Sequence, residues 1–220
     1  MTAIKICGLT RRDDAEHAVL QGANYIGAIL ASGPRLLSAE QARSVLGPRR
    51  HGVRRVAVFG AQSAADVVTL VQELDLDVAQ LHGDVTVEDV HHISNATSRA
   101  VWPVLRVEGT ELPPHATALG AAAGWLVLDA NVIGQLGGTG VALDWSGLVG
   151  QVATLRRAVP ALRLVLAGGL RASNVAEAIR LLTPEVVDVS SGVETAPGVK
   201  DPVAVEQFVK AVHAATGIRG

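Results

Sequence analysis

Short apolar runs alternate along the chain with longer stretches in which apolar residues recur every three or four positions. The runs are Ala3–Gly8, Tyr25–Leu30, Arg54–Gly60, Val78–Gly83, Ala100–Val107, Trp125–Ala130, Leu164–Gly169 and Val186–Gly192. Near-continuous runs of this length suit parallel strands covered on both faces. The stretches between them read as helices. Residues 13–21 place Ala15, Ala18 and Val19 on one face, and residues 65–74 do the same with Val67, Leu70, Val71 and Leu74. Ser38 with Gln41, and Asn174 with Glu177, have the spacing of a capping box, and Asp201 precedes Pro202 at a first helical position. Residues 111–124, with Pro113, Pro114 and Gly120, carry little amphipathic pattern and predict a loop or a short irregular helix. Strands alternating with helices through 220 residues predict an α/β chain forming one domain over 1–220. The architecture expected is a single (β/α)8 TIM barrel whose fifth crossover is irregular or short. An open doubly wound sheet would need a topological switch point, and nothing in the chain marks one.

Composition narrows the function classes. The chain is 49% hydrophobic but only 3% aromatic, so the core is expected to be filled by aliphatic side chains. A net charge of −2 gives no large single-sign field, which argues against nucleic acid as a partner. Cys7 is the only cysteine, so neither an intramolecular disulfide nor a cysteine-based zinc site is expected. No secretory signal pattern and no membrane-length apolar stretch are visible, and a cytoplasmic protein without membrane contact is expected. His91 and His92 form no metal pattern with other residues, and there is no nucleotide P-loop or dinucleotide fingerprint. The chain leaves monomer and homodimer both open.

In such a barrel the active site lies at the C-terminal ends of the strands, and the chemically capable residues cluster there. Cys7 and Gly8 end the first run, His82 and Gly83 the fourth, and Asp129 the sixth. Gly168 and Gly169 end the seventh, and Ser190, Ser191 and Gly192 the eighth. The last two groups, with Gly138 in the segment Gly137-Gly138-Thr139-Gly140, are either ordinary turn residues or a phosphate rim of close-approach glycines and hydroxyls. Cys7 is either a small buried hydrophobe or a thiol base that needs only a modest pKa shift to work near neutral pH. Lys5 lies on the same strand face. It either favours the thiolate or pairs with Asp188, which faces inward if Ser190 does. Asp129 after an apolar run is either a cap or a carboxyl group at the site mouth able to donate a proton. Arg35 is either a surface arginine or a fork for a substrate carboxylate, and His82 either a packed histidine or a ligand contact.

The ordered set of motifs resembles the phosphoribosylanthranilate isomerase family of tryptophan biosynthesis. It comprises Lys5-Ile6-Cys7-Gly8-Leu9, Gln80-Leu81-His82-Gly83, Gly137-Gly138-Thr139-Gly140 with Asp144-Trp145, Leu166-Ala167-Gly168-Gly169-Leu170 with Asn174-Val175, and Asp188-Val189-Ser190-Ser191-Gly192-Val193-Glu194 with Pro197-Gly198 and Lys200-Asp201. The resemblance spans the chain from the first strand to the last helix. It implies a cofactor-independent Amadori rearrangement of a small phosphorylated substrate, N-(5-phosphoribosyl)anthranilate, to 1-(2-carboxyphenylamino)-1-deoxyribulose 5-phosphate. It implies Asp129 as general acid and Cys7 as general base, with Arg35 at the anthranilate end. His82 and Asp188 also fall at substrate-binding positions, and Gly138, Gly168, Gly169, Ser190, Ser191 and Gly192 at phosphate-binding ones. The chain departs from the family after the second strand, where Ala31-Ser32-Gly33 lacks the usual aromatics and the serine directly before Pro34. The alternatives are a non-catalytic phosphate-ligand-binding barrel, or another phosphosugar isomerase of the same fold. The related isomerase of histidine biosynthesis uses two aspartates, and Cys7 speaks against it.

Overall fold

In the computed structural model, which describes residues 1–130 and 143–217, the apolar runs become strands. These are β1 (Ala3–Ile6), β2 (Tyr25–Ile29), β3 (Arg54–Phe59), β4 (Val78–Leu81), β5 (Ala100–Val107), β6 (Trp125–Ala130), β7 (Arg163–Leu166) and β8 (Val186–Val189). Each pairs in parallel with the next, and β8 returns to β1 to close an eight-stranded barrel. Helices α1 (Arg12–Leu20), α2 (Ala39–Leu46), α3 (Ala64–Glu73), α4 (Val87–Thr97), α5 (Ala116–Ala123), α6 (Trp145–Ala158), α7 (Val175–Leu182) and α8 (Pro202–Thr216) follow the strands in turn. A small antiparallel hairpin, β9 (Glu194–Ala196) and β10 (Val199–Lys200), is inserted between β8 and α8. Among the described residues no helix is long and apolar enough to cross a membrane.

Strand parity divides the core in two. Side chains of one parity face outward and pack against the helices, and those of the other fill the barrel. On the outer layer, α7 buries Val175, Ala178, Ile179 and Leu182, a spacing that places all of them on one helix face. Each larger aliphatic buried this way contributes about 1.5–3 kcal/mol. Inside the barrel, the layer nearest the strand N-termini holds Tyr25, Trp102 and Trp125 among Val56, Val78, Val127, Val165 and Val186. The rings stack in series, with centroids 5.1 Å apart for Tyr25–Trp102 and 4.9 Å for Trp102–Trp125. The core is otherwise mostly aliphatic, as expected, and this layer is the exception. Three of the six aromatic residues (three Trp, one Tyr, two Phe) are spent on plugging one end of the barrel. Large flat rings fill space in the barrel interior at close packing.

The predicted caps fare differently. Ser38 and Gln41 form the reciprocal capping box of α2, and the Asp201 carboxylate accepts from Val203 and Ala204 at the start of α8. Asn174 makes no cap hydrogen bond to α7. Its Oδ1 accepts from the Arg171 amide at 2.8 Å and its Nδ2 donates to the Gly169 carbonyl at 3.0 Å, so it braces the loop after β7 instead. The fifth crossover is short, as expected, but its second half is a regular eight-residue α-helix ending at Gly124 in a left-handed cap.

Candidate active site

At the C-terminal end of the barrel lies a cavity of about 700 Å³, counting its open mouth. Cys7, Arg35, His82, Asp129 and Asp188 all line it, as do Gly168, Gly169, Ser190, Ser191 and Gly192. The sequence-predicted residues thus converge on one space, except Gly138, which lies outside the described residues together with the rest of the Gly137–Gly140 segment. Several sit one residue beyond the regular ladder yet remain fixed by it. The Cys7 amide donates to the Val189 carbonyl at 2.8 Å, and the His82 amide donates to Phe59 at 2.7 Å. A residue so placed keeps the strand's inward parity and gains the freedom of the loop.

Beneath Cys7 lies a fully buried ion pair. Lys5 and Asp188 face each other in register across β1 and β8, and Lys5 Nζ donates to Asp188 Oδ2 at 2.6 Å. Of the two readings of Lys5, the pair with Asp188 is the one formed. Burial works to lower the Lys5 pKa, but the charges of Asp188 and Cys7 more than offset it and hold the ammonium above its ordinary value. The thiol is affected the opposite way to expectation. Burial pushes the Cys7 pKa up and Asp188 adds to it, and the opposing Lys5 charge, already matched by a carboxylate, does not compensate. Room for this stack comes from Gly27 on β2, where an added Cβ would lie 3.1 Å from Cys7 Sγ and 3.2 Å from Lys5 Cε. Removing one partner of a buried pair costs about 3–5 kcal/mol because the other charge is stranded. Lys5→Met is expected to lower the urea midpoint by that equivalent, and a midpoint equal to wild type would deny the pair its structural role.

Across the cavity, Asp129 is held by a chain of polar contacts. His82 Nε2 lies 3.2 Å from Asp129 Oδ2, and Arg106 Nη2 lies 3.4 Å from His82 Nδ1 and 3.3 Å from the His82 carbonyl. Arginine only donates, so Nδ1 accepts and the ring proton sits on Nε2, directed at Asp129. His82 therefore lines the cavity while engaging the carboxyl group, a role its sequence position did not reveal. Asp129 Oδ1 lies beside Gly168, whose φ of +82° and lack of a side chain permit the approach: an added Cβ would sit 2.8 Å from that oxygen. Of the seven buried side-chain nitrogen and oxygen atoms without a hydrogen-bond partner among the described residues, three belong to residues of this site: Gln80 Oε1, Asp188 Oδ1 and Ser190 Oγ. All three residues line the cavity. Leaving a buried polar atom unpaired costs about 1–3 kcal/mol, and these three are free to take a partner from the cavity. Gln80 was absent from the sequence-derived candidates. Its inward parity was the available signal.

Arg35 reaches the cavity by arching over Gly8, where a Cβ would meet Arg35 Cδ and Ser190 Oγ, each at 2.6 Å. Its guanidinium is already engaged, with Nε 2.9 Å from Glu194 Oε1 and Nη2 2.6 Å from Oε2. Glu194 also accepts from Lys200 Nζ at 2.7 Å, and that ammonium donates to the Ser190 carbonyl at 3.1 Å. Sequence reasoning placed neither Glu194 nor Lys200 in the site.

The glycine and serine rim is made by two loops that touch. Gly192 approaches the loop after β7 so closely that an added Cβ would fall 1.9 Å from the Leu170 carbonyl oxygen. Backbone cannot yield as a side-chain tip does, so Gly192→Ala is expected to displace one loop, lowering stability by about 1–3 kcal/mol and raising KM. Thermal melts and steady-state kinetics matching wild type would show the contact to be compliant. Among the described residues no group of three or more His, Cys, Asp or Glu side chains is arranged to hold a metal ion.

Comparison with known proteins agrees with this geometry. The family model of N-(5'-phosphoribosyl)anthranilate (PRA) isomerase matches residues 4–211, a span containing every cavity residue named above. The chain belongs to the N-(5'-phosphoribosyl)anthranilate isomerase family. It is 41% identical to the family enzyme of Ralstonia nicotianae, in an alignment covering 100% of this chain and 96% of the relative. The phosphoribosyl anthranilate isomerase of Thermus thermophilus superposes with a TM-score of 0.80 at 31% identity, covering 97% of this chain and 99% of that one. Another phosphoribosyl anthranilate isomerase, solved in complex with reduced 1-(o-carboxyphenylamino)-1-deoxyribulose 5-phosphate, superposes with a TM-score of 0.77 at 29% identity over 99% of this chain and all of that one. Membership of the phosphoribosylanthranilate isomerase family makes this chain an isomerase of tryptophan biosynthesis.

Proposed function

We propose that this chain catalyses the Amadori rearrangement of N-(5-phosphoribosyl)anthranilate to 1-(2-carboxyphenylamino)-1-deoxyribulose 5-phosphate, with Asp129 as general acid and Cys7 as general base. The observation that carries the proposal is that Cys7 and Asp129, on strands far apart in the chain, line one cavity with the glycine and serine rim. An aldose-to-ketose shift needs one acid, one base and an anchor that holds the sugar between them.

Asp129 delivers a proton to the furanose ring oxygen as the C1–O bond breaks, and the nitrogen lone pair closes the C1–N double bond of a Schiff base. Cys7 as thiolate then removes the proton from C2. The C2–H electrons form the C1–C2 double bond and return the C1–N electrons to nitrogen, and the resulting enolamine tautomerises to the ketone. His82 holds Oδ2 of Asp129, leaving Oδ1 to work on the ring oxygen. The unpaired Gln80 Oε1 and Asp188 Oδ1 accept from ribose hydroxyls. Gly168, Gly169, Ser190, Ser191 and Gly192 hold the phosphate through backbone amides and hydroxyls, and Arg35 contacts the anthranilate carboxylate. Mixing the purified protein with phosphoribosylanthranilate tests the assignment. A progressive, catalytic loss of anthranilate fluorescence is expected. A stoichiometric shift without turnover would instead identify a binding barrel.

A further inference from the structure

Behind the pocket-facing Arg35 sits a carboxylate that does not itself line the cavity. The Glu194 side chain is only 4% exposed, and it is clamped between the Arg35 guanidinium and the Lys200 ammonium, the latter side chain 2% exposed. Burying three charges is costly unless geometry and hydrogen bonds recover the loss. Here the charged forms of Arg35 and Glu194 are favoured, while burial still holds the Lys200 ammonium below its ordinary pKa. Glu194 takes Arg35 Nε and Nη2 on one side and Lys200 Nζ on the other. The cluster joins three separate segments: the loop after β2, the start of β9 and the end of β10. One carboxylate between two cations leaves a net positive charge, and because none of Arg35's hydrogen bonds among the described residues uses Nη1, that donor remains on offer.

We propose that Glu194 is a positioning residue for Arg35: by fixing the Nε/Nη2 edge of the guanidinium against a Lys200-anchored carboxylate, it holds Nη1 toward the carboxylate of the substrate's aromatic end. This rests on the functional assignment proposed above. An untethered arginine keeps side-chain conformational freedom that a ligand would have to freeze. A tethered one has lost that freedom on folding. The clamp also compensates for the unusual loop ahead of it. Ala31 and Ser32 line the cavity but supply no aromatic surface to the substrate ring, which throws more of the recognition onto Arg35.

Simple charge counting predicts the opposite outcome for one variant, and that makes the proposal testable. Glu194→Gln removes a negative charge near an anion site, so a purely electrostatic role would tighten substrate binding. Positioning requires that KM rise about tenfold, equivalent to about 1.4 kcal/mol, with kcat within about threefold of wild type. In an Arg35→Ala background, Glu194→Gln should change KM less than about twofold, since a residue acting through Arg35 has nothing left to act on. Glu194→Asp, which keeps the charge but shortens the reach, should fall between wild type and Glu194→Gln, and it decides the matter if the glutamine variant does not fold. Calorimetric Kd values for the reduced product analogue run alongside. If wild type binds the analogue but does not turn over substrate, the catalytic assignment fails while the Kd series still judges Glu194. A KM or Kd that is unchanged or lowered in Glu194→Gln, or single effects that multiply in the double variant, overturns the proposal.

Discussion

Replacement of Cys7 by alanine is expected to lower kcat by about 10³-fold with little change in KM, within the range of 10²–10⁴ for loss of a general base. The thiol is 5% exposed, and the Lys5 ammonium that it interacts with keeps its hydrogen bond to Asp188 when the sulfur is removed, so the effect should fall mainly on catalysis. Cys7→Ser is the sharper control. A serine hydroxyl matches the thiol in shape but ionises far less readily, so it should be about as inactive as alanine. The pH profile adds a second readout. Burial pushes the Cys7 thiol above its ordinary range, Lys5 opposes this and Asp188 reinforces it. The thiolate is therefore scarce at neutral pH and grows as pH rises, so kcat/KM, which reports ionisations of the free enzyme, should climb through the alkaline range. In Cys7→Ala the residual activity should lose that limb. Turnover near wild type in either variant would remove the thiol from the mechanism.

The second large effect is expected at Asp129. Asp129→Asn keeps the size of the side chain and an oxygen for the His82 contact, but has no acidic proton to deliver. It should lower kcat by about 10²-fold or more, the low end of the acid–base range, because water reaching the open mouth of the cavity can substitute in part. The neighbouring contacts predict that the fold survives. His82 remains tied to Arg106, and Asp129 is placed by its β6 ladder, in register with Arg106 of β5. A thermal melt like that of wild type with a hundredfold slower turnover would fit a proton donor. Full activity in the variant would mean that another group opens the ring.

These variants probe opposite walls of one space, and their separation in the chain illustrates how the site is built. Lys5 and Asp188 are 183 positions apart, yet their pairing was foreseeable. Both obey strand parity, and closure of the barrel brings β8 against β1. The same logic located Cys7, His82, Asp129 and Ser190, each at or just past the end of an apolar run. Gln80, which obeys the same parity, could have been found by applying that logic to its own strand.

Arg35 and Glu194, 159 positions apart, were not foreseeable as a pair. Both lie beyond the ends of the barrel strands, where no period of two or 3.6 fixes the direction of a side chain, and only the packing of the loop after β2 against the hairpin after β8 brings them together. Asn174 shows the same limit. Its spacing to Glu177 satisfies a capping pattern, but the bend after Gly169 offers it two backbone partners, and the loop takes the side chain from the helix. The aromatic plug of Tyr25, Trp102 and Trp125 is a third case, since a low aromatic percentage says nothing about where the few rings gather. What the amino-acid order settled by itself was the alternation of elements, and through strand parity the identity of the residues facing the cavity. What only the assembled barrel decided was which loop groups meet, because contacts between irregular segments depend on distances in space that no local periodicity encodes.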